Sequence, residues 1–333
     1  MADYSTIKGF TIQTIAGDPS NPGDGQVWYN STSATVKGYG MQGTSAWASG
    51  GAINSGRKFP GSNGPLTAAW YGGGGGPSIH VKETEHYDGT SWTEVNDLNT
   101  ARSGGSGAGD NTASLLIGGF IGPTASDVSG LTETYDGTSW SEVNDLNTAR
   151  RRGSGQGTNT AALMMGGSIN SLPGSVGDIK ATESWNGTSW TEVNDLNTAR
   201  LNLAASKSGT PGASVVAGGA PGPFSLLVET YNGTSWTEAT EVNADKVMAG
   251  SAGVETFAMV WGGINPPFYS CEQWNGSAWT EVADIGVSQY GTGSGGSATE
   301  AWQAAGTTSP GSTFPTTSNE WATPSVTKTF TAS

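Results

Sequence analysis

The chain is nearly without thiol and imidazole: one cysteine, Cys271, and two histidines, His80 and His86, in 333 residues. A lone cysteine excludes an intrachain disulfide framework and any multi-thiolate metal site. Two histidines are too few for a histidine-rich metallohydrolase, and no convincing Ser/His/Asp set can be assembled around them. No cofactor is expected. Basic residues are also scarce, 14 against 28 acidic ones, for a formal net charge of −14. Phosphate backbones and anionic membrane surfaces would repel such a chain, which argues against nucleic-acid binding. No stretch approaches the ~20 apolar residues that cross a bilayer. The N-terminus, carrying Asp3 and Lys8, has no apolar core of signal-peptide length. Folding in a cytoplasm, without membrane insertion, is the expectation. The glycine run Gly72–Gly76 lacks a following Lys-Ser/Thr and is not a phosphate cradle.

Glycine, by contrast, is abundant (53 residues) and recurs at fixed places. The segment Tyr87-Asp88-Gly89-Thr90-Ser91-Trp92-Thr93-Glu94-Val95-Asn96-Asp97-Leu98-Asn99-Thr100-Ala101-Arg102 returns as Tyr135–Arg150, with Ser141 the one change. It returns again as Trp185–Arg200, with Trp185 and Asn186 replacing Tyr and Asp. Weaker copies begin at Tyr231 and Trp274. Their second aromatics, Trp92, Trp140, Trp190, Trp236 and Trp279, are spaced by 48, 50, 46 and 43 residues. A period of this size marks a repeat architecture. Asp/Asn-Gly suits a tight hairpin whose central positions need positive φ. The flanking aromatics then fall on opposite arms, where cross-strand ring contacts are favourable.

Between these hairpins lie short apolar runs stopped by glycines: Leu115-Leu116-Ile117, Leu163-Met164-Met165, Val215-Val216-Ala217 and Met259-Val260-Trp261, each followed by Gly-Gly. Ala68–Tyr71 and the degenerate Trp302–Ala305 belong to the same set. Such runs fit strands covered on both faces. The expected fold is therefore all-β: a six-bladed β-propeller of four-stranded blades over about residues 41–331. Its last outer pair would be Ser318–Trp321 with Thr327–Phe330. Residues 1–40 differ. Thr6–Ile12 alternates like a strand, Gly17–Gly25 reads as a loop, and Gln26–Tyr39 reads as an extra hairpin. The domains are then 1–40, an N-terminal extension, and 41–333, the propeller. A seven-bladed ring with a half-built blade is the alternative.

A glycine pair after an apolar strand, an aromatic, a Trp five residues on and an Arg opening the next unit together resemble the kelch repeat, over about 290 residues. The wording Tyr-Asp-Gly-Thr-Ser-Trp-Thr-Glu-Val-Asn-Asp-Leu-Asn-Thr-Ala-Arg, with Ala2–Phe10 and Gly25–Asn30, is similar to kelch-like proteins of marine tailed phages. That resemblance implies a virion component: a tail fibre, a tail-associated adhesin or a capsid-surface protein. Residues 1–40, with Phe10, Trp28, Tyr29 and Tyr39, would attach it to other virion proteins or to sister copies.

Enzymatic readings fail on inventory. A copper radical oxidase on kelch blades needs more histidine, and Cys271 is far in sequence from both histidines. Asp-Gly-Thr-Ser-Trp is not the sialidase Asp-box, because its Asp and Gly are adjacent. Arg102, Arg150 and Arg200 occupy equivalent points near the channel mouth. They either pair with Asp97, Asp145 and Asp195 as scaffold or contribute to a binding face. Binding is expected on the loops between second and third strands, which vary most between repeats. These carry Phe224, Pro267, Phe268, Tyr269, Phe314 and His80, residues suited to a host glycan or protein. A cellular kelch-type interaction module and a glycan-active enzyme are the rival readings.

Overall fold

A computed structural model describes residues 12–22, 26–41, 45–76, 80–122, 124, 127–170, 177–220, 226–308, 313–323 and 325–330. They form seven four-stranded sheets, with no α-helix among the described residues. The chain divides into two compact units, Trp47–Trp321 and Met1–Ala46 with Ala322–Ser333.

The smaller unit contains β1 (Gln13–Ile15), β2 (Val27–Asn30) and β3 (Thr35–Met41). Strand β4 (Ala46–Ser49) follows. The larger unit then runs through five consecutive sheets: β5 (Gly61–Asn63), β6 (Ala69–Gly72), β7 (Thr84–Tyr87) and β8 (Trp92–Val95); β9 (Ser106–Asp110), β10 (Ala113–Phe120), β11 (Val128–Tyr135) and β12 (Trp140–Val143); β13 (Ser154–Gly157), β14 (Ala162–Met165), β15 (Thr182–Trp185) and β16 (Trp190–Val193); β17 (Ala204–Ala205), β18 (Ser214–Ala217), β19 (Val228–Tyr231) and β20 (Trp236–Ala239); β21 (Gly250–Val254), β22 (Phe257–Trp261), β23 (Cys271–Trp274) and β24 (Trp279–Val282). The sixth comprises β25 (Gly293–Gly296), β26 (Glu300–Ala304), β27 (Ser318–Ala322) and β4. Innermost strands β5, β9, β13, β17, β21 and β25 neighbour one another in turn, and β25 returns to β5. This is a β-propeller.

The continuous apolar runs work because alternate side chains serve opposite neighbours. Leu115 and Ile117 of β10 pack with Met164 and Trp190 of the following sheet. Leu116, between them, packs with Trp70 of the preceding one. Met164 and Met165 of β14 divide in the same way. Each such side chain, fully buried, contributes roughly 1.5–3 kcal/mol.

The repeated hairpin differs from a two-residue turn. Tyr87 stands directly opposite Trp92, with ring centroids 4.9 Å apart, so the loop has four residues. Only its glycine takes positive φ (Gly89, +93°). Asp88 instead accepts the backbone N–H groups of Thr90 and Ser91, each at 2.8 Å. Asp or Asn is required there as an acceptor rather than for backbone tolerance. Asn186, Asn232 and Asn275 do the same.

Two expectations are corrected at the termini. Thr327–Phe330 do not complete the sixth sheet: β28 (Ser325–Phe330) pairs with β3, and β4 takes the outer position beside β27. The physical reason is the aromatic pair. Trp47 of β4 stands 5.7 Å from Trp321, as Trp92 stands beside Tyr87. Trp47, Ile53, Asn54 and Arg57 keep the spacing of Trp92, Leu98, Asn99 and Arg102. They are the tail of a repeat whose head lies at 318–321. The unit boundary correspondingly lies at 46/47 rather than 40/41, and residues 322–333 group with the N-terminal part.

In the smaller unit β1 runs parallel to β2, and β2–β3 and β3–β28 are antiparallel. Asp18 organises it, accepting from Trp28 Nε1 at 3.1 Å, Asn30 Nδ2 at 2.7 Å and Lys37 Nζ at 2.7 Å. The Lys37 ammonium, followed by the Asn30 and Trp28 donors, holds the Asp18 carboxyl down to about 2.

Candidate functional site

Each inter-blade linker closes around one buried carboxylate. Glu133 receives Arg102, the N–H and side-chain amide of Asn99 (2.8 and 3.0 Å) and the N–H of Thr100 (3.3 Å). Glu183 receives Arg150, Asn147 and Thr148 likewise, and Glu229 receives Arg200 (2.6 Å), Asn197 and Thr198. Arg57 pairs with Glu85 at 2.9 Å, and Lys246 faces Glu272 at 3.6 Å. At the sixth position both charges are replaced, by Gln289 and Asn319. A buried charge without its partner is costly, so the two members change together. Arg102, Arg150 and Arg200 are at most 1% exposed. Their expected partners Asp97, Asp145 and Asp195 are thus corrected to these glutamates of the next blade, and a ligand cannot reach them.

The Gly-Gly pairs complete the linker. The N–H groups of Gly119 and Gly167 donate to the Arg150 and Arg200 carbonyls at 2.9 and 2.7 Å. A Cβ on Gly218 would lie 1.9 Å from the Lys246 carbonyl oxygen, so only glycine fits.

Two residues beyond each of these arginines, lysine or glutamine, the chain turns into the axis through one left-handed residue: Phe59, Gly104, Arg152, Asn202, Met248 and Gly291, with φ between +54° and +66°. Their backbones form a closed ring. Each N–H donates to the carbonyl of the preceding member, from Gly104 to Phe59 (2.8 Å) round to Phe59 to Gly291 (2.7 Å). For the four non-glycine members that conformation costs about 1–2 kcal/mol each. Such strain, held in place by the surrounding structure, concentrates at functional sites.

Inside the ring lies a cavity of about 90 Å³ that draws its walls from all six sheets. Phe59, Arg152 and Met248 line its mouth, Ser62, Ser106, Ser251 and Ser294 its walls, and Lys207 also faces it. At the level of Lys207, Asn63 Nδ2 donates to the Lys207 carbonyl at 3.1 Å, joining opposite sheets. The mouth lies on the face of the linkers and variable loops. There Arg152 stacks on Phe59 (4.4 Å), Lys58 lies over Phe59 and Phe314 (5.8 and 5.6 Å), and Arg151 over Phe120 (5.3 Å).

Lys207 replaces a positive-φ glycine: its counterparts are Gly64, Gly109, Gly157, Gly253 and Gly296. Burial lowers its pKa from 10.5 to about 8. Between those values the unfolded chain holds the proton and the folded chain does not, so stability rises with pH from about 8 to 10.5. Lys207→Met is expected to stabilise the protein at pH 7 by up to about 3 kcal/mol and to flatten that rise. Thermal melts from pH 7 to 10.5 check this; a destabilised variant would contradict it.

The other expected residues are dispersed. Tyr269 is 43% exposed, Pro267 is exposed, and Phe268 and Phe314 are half-buried. His80 stands edge-on to Phe120 and contacts the Gly122 carbonyl at 3.4 Å. Burial pushes its pKa down. His86, in β7, stands against Tyr135, and its pKa is lowered to about 4 by burial. Trp28 is buried, while Tyr29 and Tyr39 are half-buried. Phe10 and Phe224 lie outside the described residues. Cys271 is a buried strand thiol, pushed up to about 12 by burial, and its sulfur accepts the Trp47 indole N–H at 3.3 Å. The five repeat tryptophans, Trp92, Trp140, Trp190, Trp236 and Trp279, are buried in the outer hairpins. No group of three His, Cys, Asp or Glu among the described residues is placed to hold a metal ion. The axial ring was not anticipated from the sequence. Its one signal was the basic pair Arg151-Arg152, without an acidic neighbour in the sequence.

Neither a protein-family model nor a curated protein sequence matches the chain. Among solved structures it is similar to YjhT, with a TM-score of 0.64 and 12% identity, over 82% of this chain and 95% of that one. At that identity the likeness concerns the fold alone.

Proposed function

We propose that this chain is a non-enzymatic, kelch-like surface component of a tailed-phage particle, which uses a rigid propeller to present variable loops to a host-surface receptor. The observation that carries the reading is where apolar surface remains. Five large apolar side chains of the larger unit are exposed among the described residues; Val254 and Phe257 lie at the β21–β22 turn, and the three most exposed, Ile121, Ile169 and Tyr269, stand at 41, 49 and 43%. All three lie in loops between second and third strands of different sheets, hence on one face. The repeat's arginines and their partner glutamates, by contrast, are buried in the linkers. Loops can then change without disturbing the scaffold, and exposed apolar side chains grouped on one face suit contact with a partner. The smaller unit would provide attachment to the particle.

Two measurements test the proposal. Mass spectrometry of purified particles should find the chain, and its absence would remove the virion reading. The variant Ile121→Ser/Ile169→Ser/Tyr269→Ser should keep the parent melting temperature within a few degrees. Its host adsorption should fall at least tenfold; unchanged adsorption would remove the loop face from receptor binding.

A further inference from the structure

The geometry points to the axial cavity as a binding site for one small oxyanion, a carboxylate, phosphate or sulfate group, held between Arg152 and Lys207. This does not depend on the virion reading.

The chain carries twice as many acids as bases, and most of its buried bases are paired or bonded: Arg151 donates to the Asn170 carbonyl at 2.9 Å. Arg57, Arg102, Arg150, Arg200 and Lys246 each face a glutamate. Arg152 and Lys207 do not. Among the described residues neither side chain has a carboxylate or hydrogen-bond partner, and no Asp or Glu lines the cavity they share. Arg152 has only the Phe59 ring beneath it. Burial lowers the pKa of both, Arg152 to about 10 and Lys207 to about 8, with no nearby acid to oppose it. Cations left this way in a polar pocket have an uncompensated desolvation cost, which a bound anion removes.

The hydroxyls fit the same ligand. Thr292 lines the cavity, and its Oγ1 is buried without a hydrogen-bond partner. Ser294 Oγ accepts from Ser251 N, and Ser106 Oγ accepts from Gly155 N. Each keeps its own proton available for an acceptor on the axis. The two cations come from different sheets, and five of the six sheets carry glycine where the fourth has Lys207. The scaffold therefore does not require the lysine. The cross-axis bond from Asn63 to Lys207 bridges the inner end, so a ligand enters past Phe59 at the loop face.

Calorimetric titration of the full chain at constant ionic strength, with phosphate, sulfate, acetate and glucuronate in turn, tests the proposal. Saturable one-to-one binding of at least one of them is expected. Arg152→Gln and Lys207→Gln should each weaken it tenfold or more, whereas Lys82→Gln, at an exposed lysine paired with Asp97 and absent from the cavity lining, should leave it unchanged. Glucuronate well above acetate would identify a sugar acid as the source, and parity a free ion. Circular dichroism confirms that each variant is folded. No saturable binding to the parent chain, or equal binding by a folded Arg152→Gln/Lys207→Gln variant, would overturn the assignment, leaving the cations solvated by water only.

Discussion

Arg150→Met is expected to destabilise the propeller by about 3–5 kcal/mol, because it leaves Glu183 ionised and buried without its cation. The guanidinium is fully buried, bonded to Glu183 and, at 2.7 Å, to the Ala181 carbonyl. Removing it leaves the Glu183 charge with only the neutral donors of Asn147 and Thr148, and the Ala181 carbonyl with only the Gly166 N–H. For a domain of this size that corresponds to a fall in melting temperature of roughly 6–15 °C. The sixth linker shows how the loss can be offset, since Gln289 and Asn319 replace both charges together. Arg150→Gln/Glu183→Asn should therefore recover most of the stability lost by Arg150→Gln alone. Calorimetric melts of the two singles and the double give the coupling energy. Additive effects, or a single variant costing under 1 kcal/mol, would show that the pair is not the linker's fastening.

Trp47→Ala is expected to cost about 3 kcal/mol, the lower end of the range for removing a large aromatic because the side chain is half-buried, and to loosen the sixth sheet first. Among the described residues, Trp47 belongs to the one sheet built from both ends of the larger unit. Its indole meets Trp261 edge-on at 5.0 Å and lies 5.7 Å from Trp321, while its N–H reaches Cys271. It thus joins the sixth sheet to the fifth. A repeat ring transmits stability through neighbouring interfaces, so weakening the closing sheet should appear locally before it appears globally. Hydrogen exchange should accelerate in Ser318–Trp321 and in the fifth sheet's Cys271–Trp274, with Thr132–Tyr135 across the ring still protected. Uniform loss of protection, or none, would count against closure through β4.

The repeat was legible because each blade solves the same packing problem with the same residues. Asp88-Gly89, Tyr87 opposite Trp92, and the buried runs such as Leu115–Ile117 announce hairpins and two-faced strands from spacing alone. The Arg–Glu pairing was also written in the chain. Five Glu-x-Tyr/Trp segments, each with Thr, Val or Cys before the acid, carry it, and the sixth copy loses acid and base together. It was missed because Asp97, Asp145 and Asp195 are nearer in sequence than glutamates about 30 residues on.

By itself, then, the sequence determined the blade: its strands, its turn, its apolar faces and the period that repeats them, all set by contacts within some 50 residues. Only the tertiary structure decided how the ends meet and what the centre presents. Ring closure joins Trp47 to Trp321 across almost the whole propeller, and the axis gathers single residues from six separate blades. No local pattern requires Arg152 and Lys207 to face one cavity. That proximity is a property of the closed ring, where chain distance no longer measures distance in space.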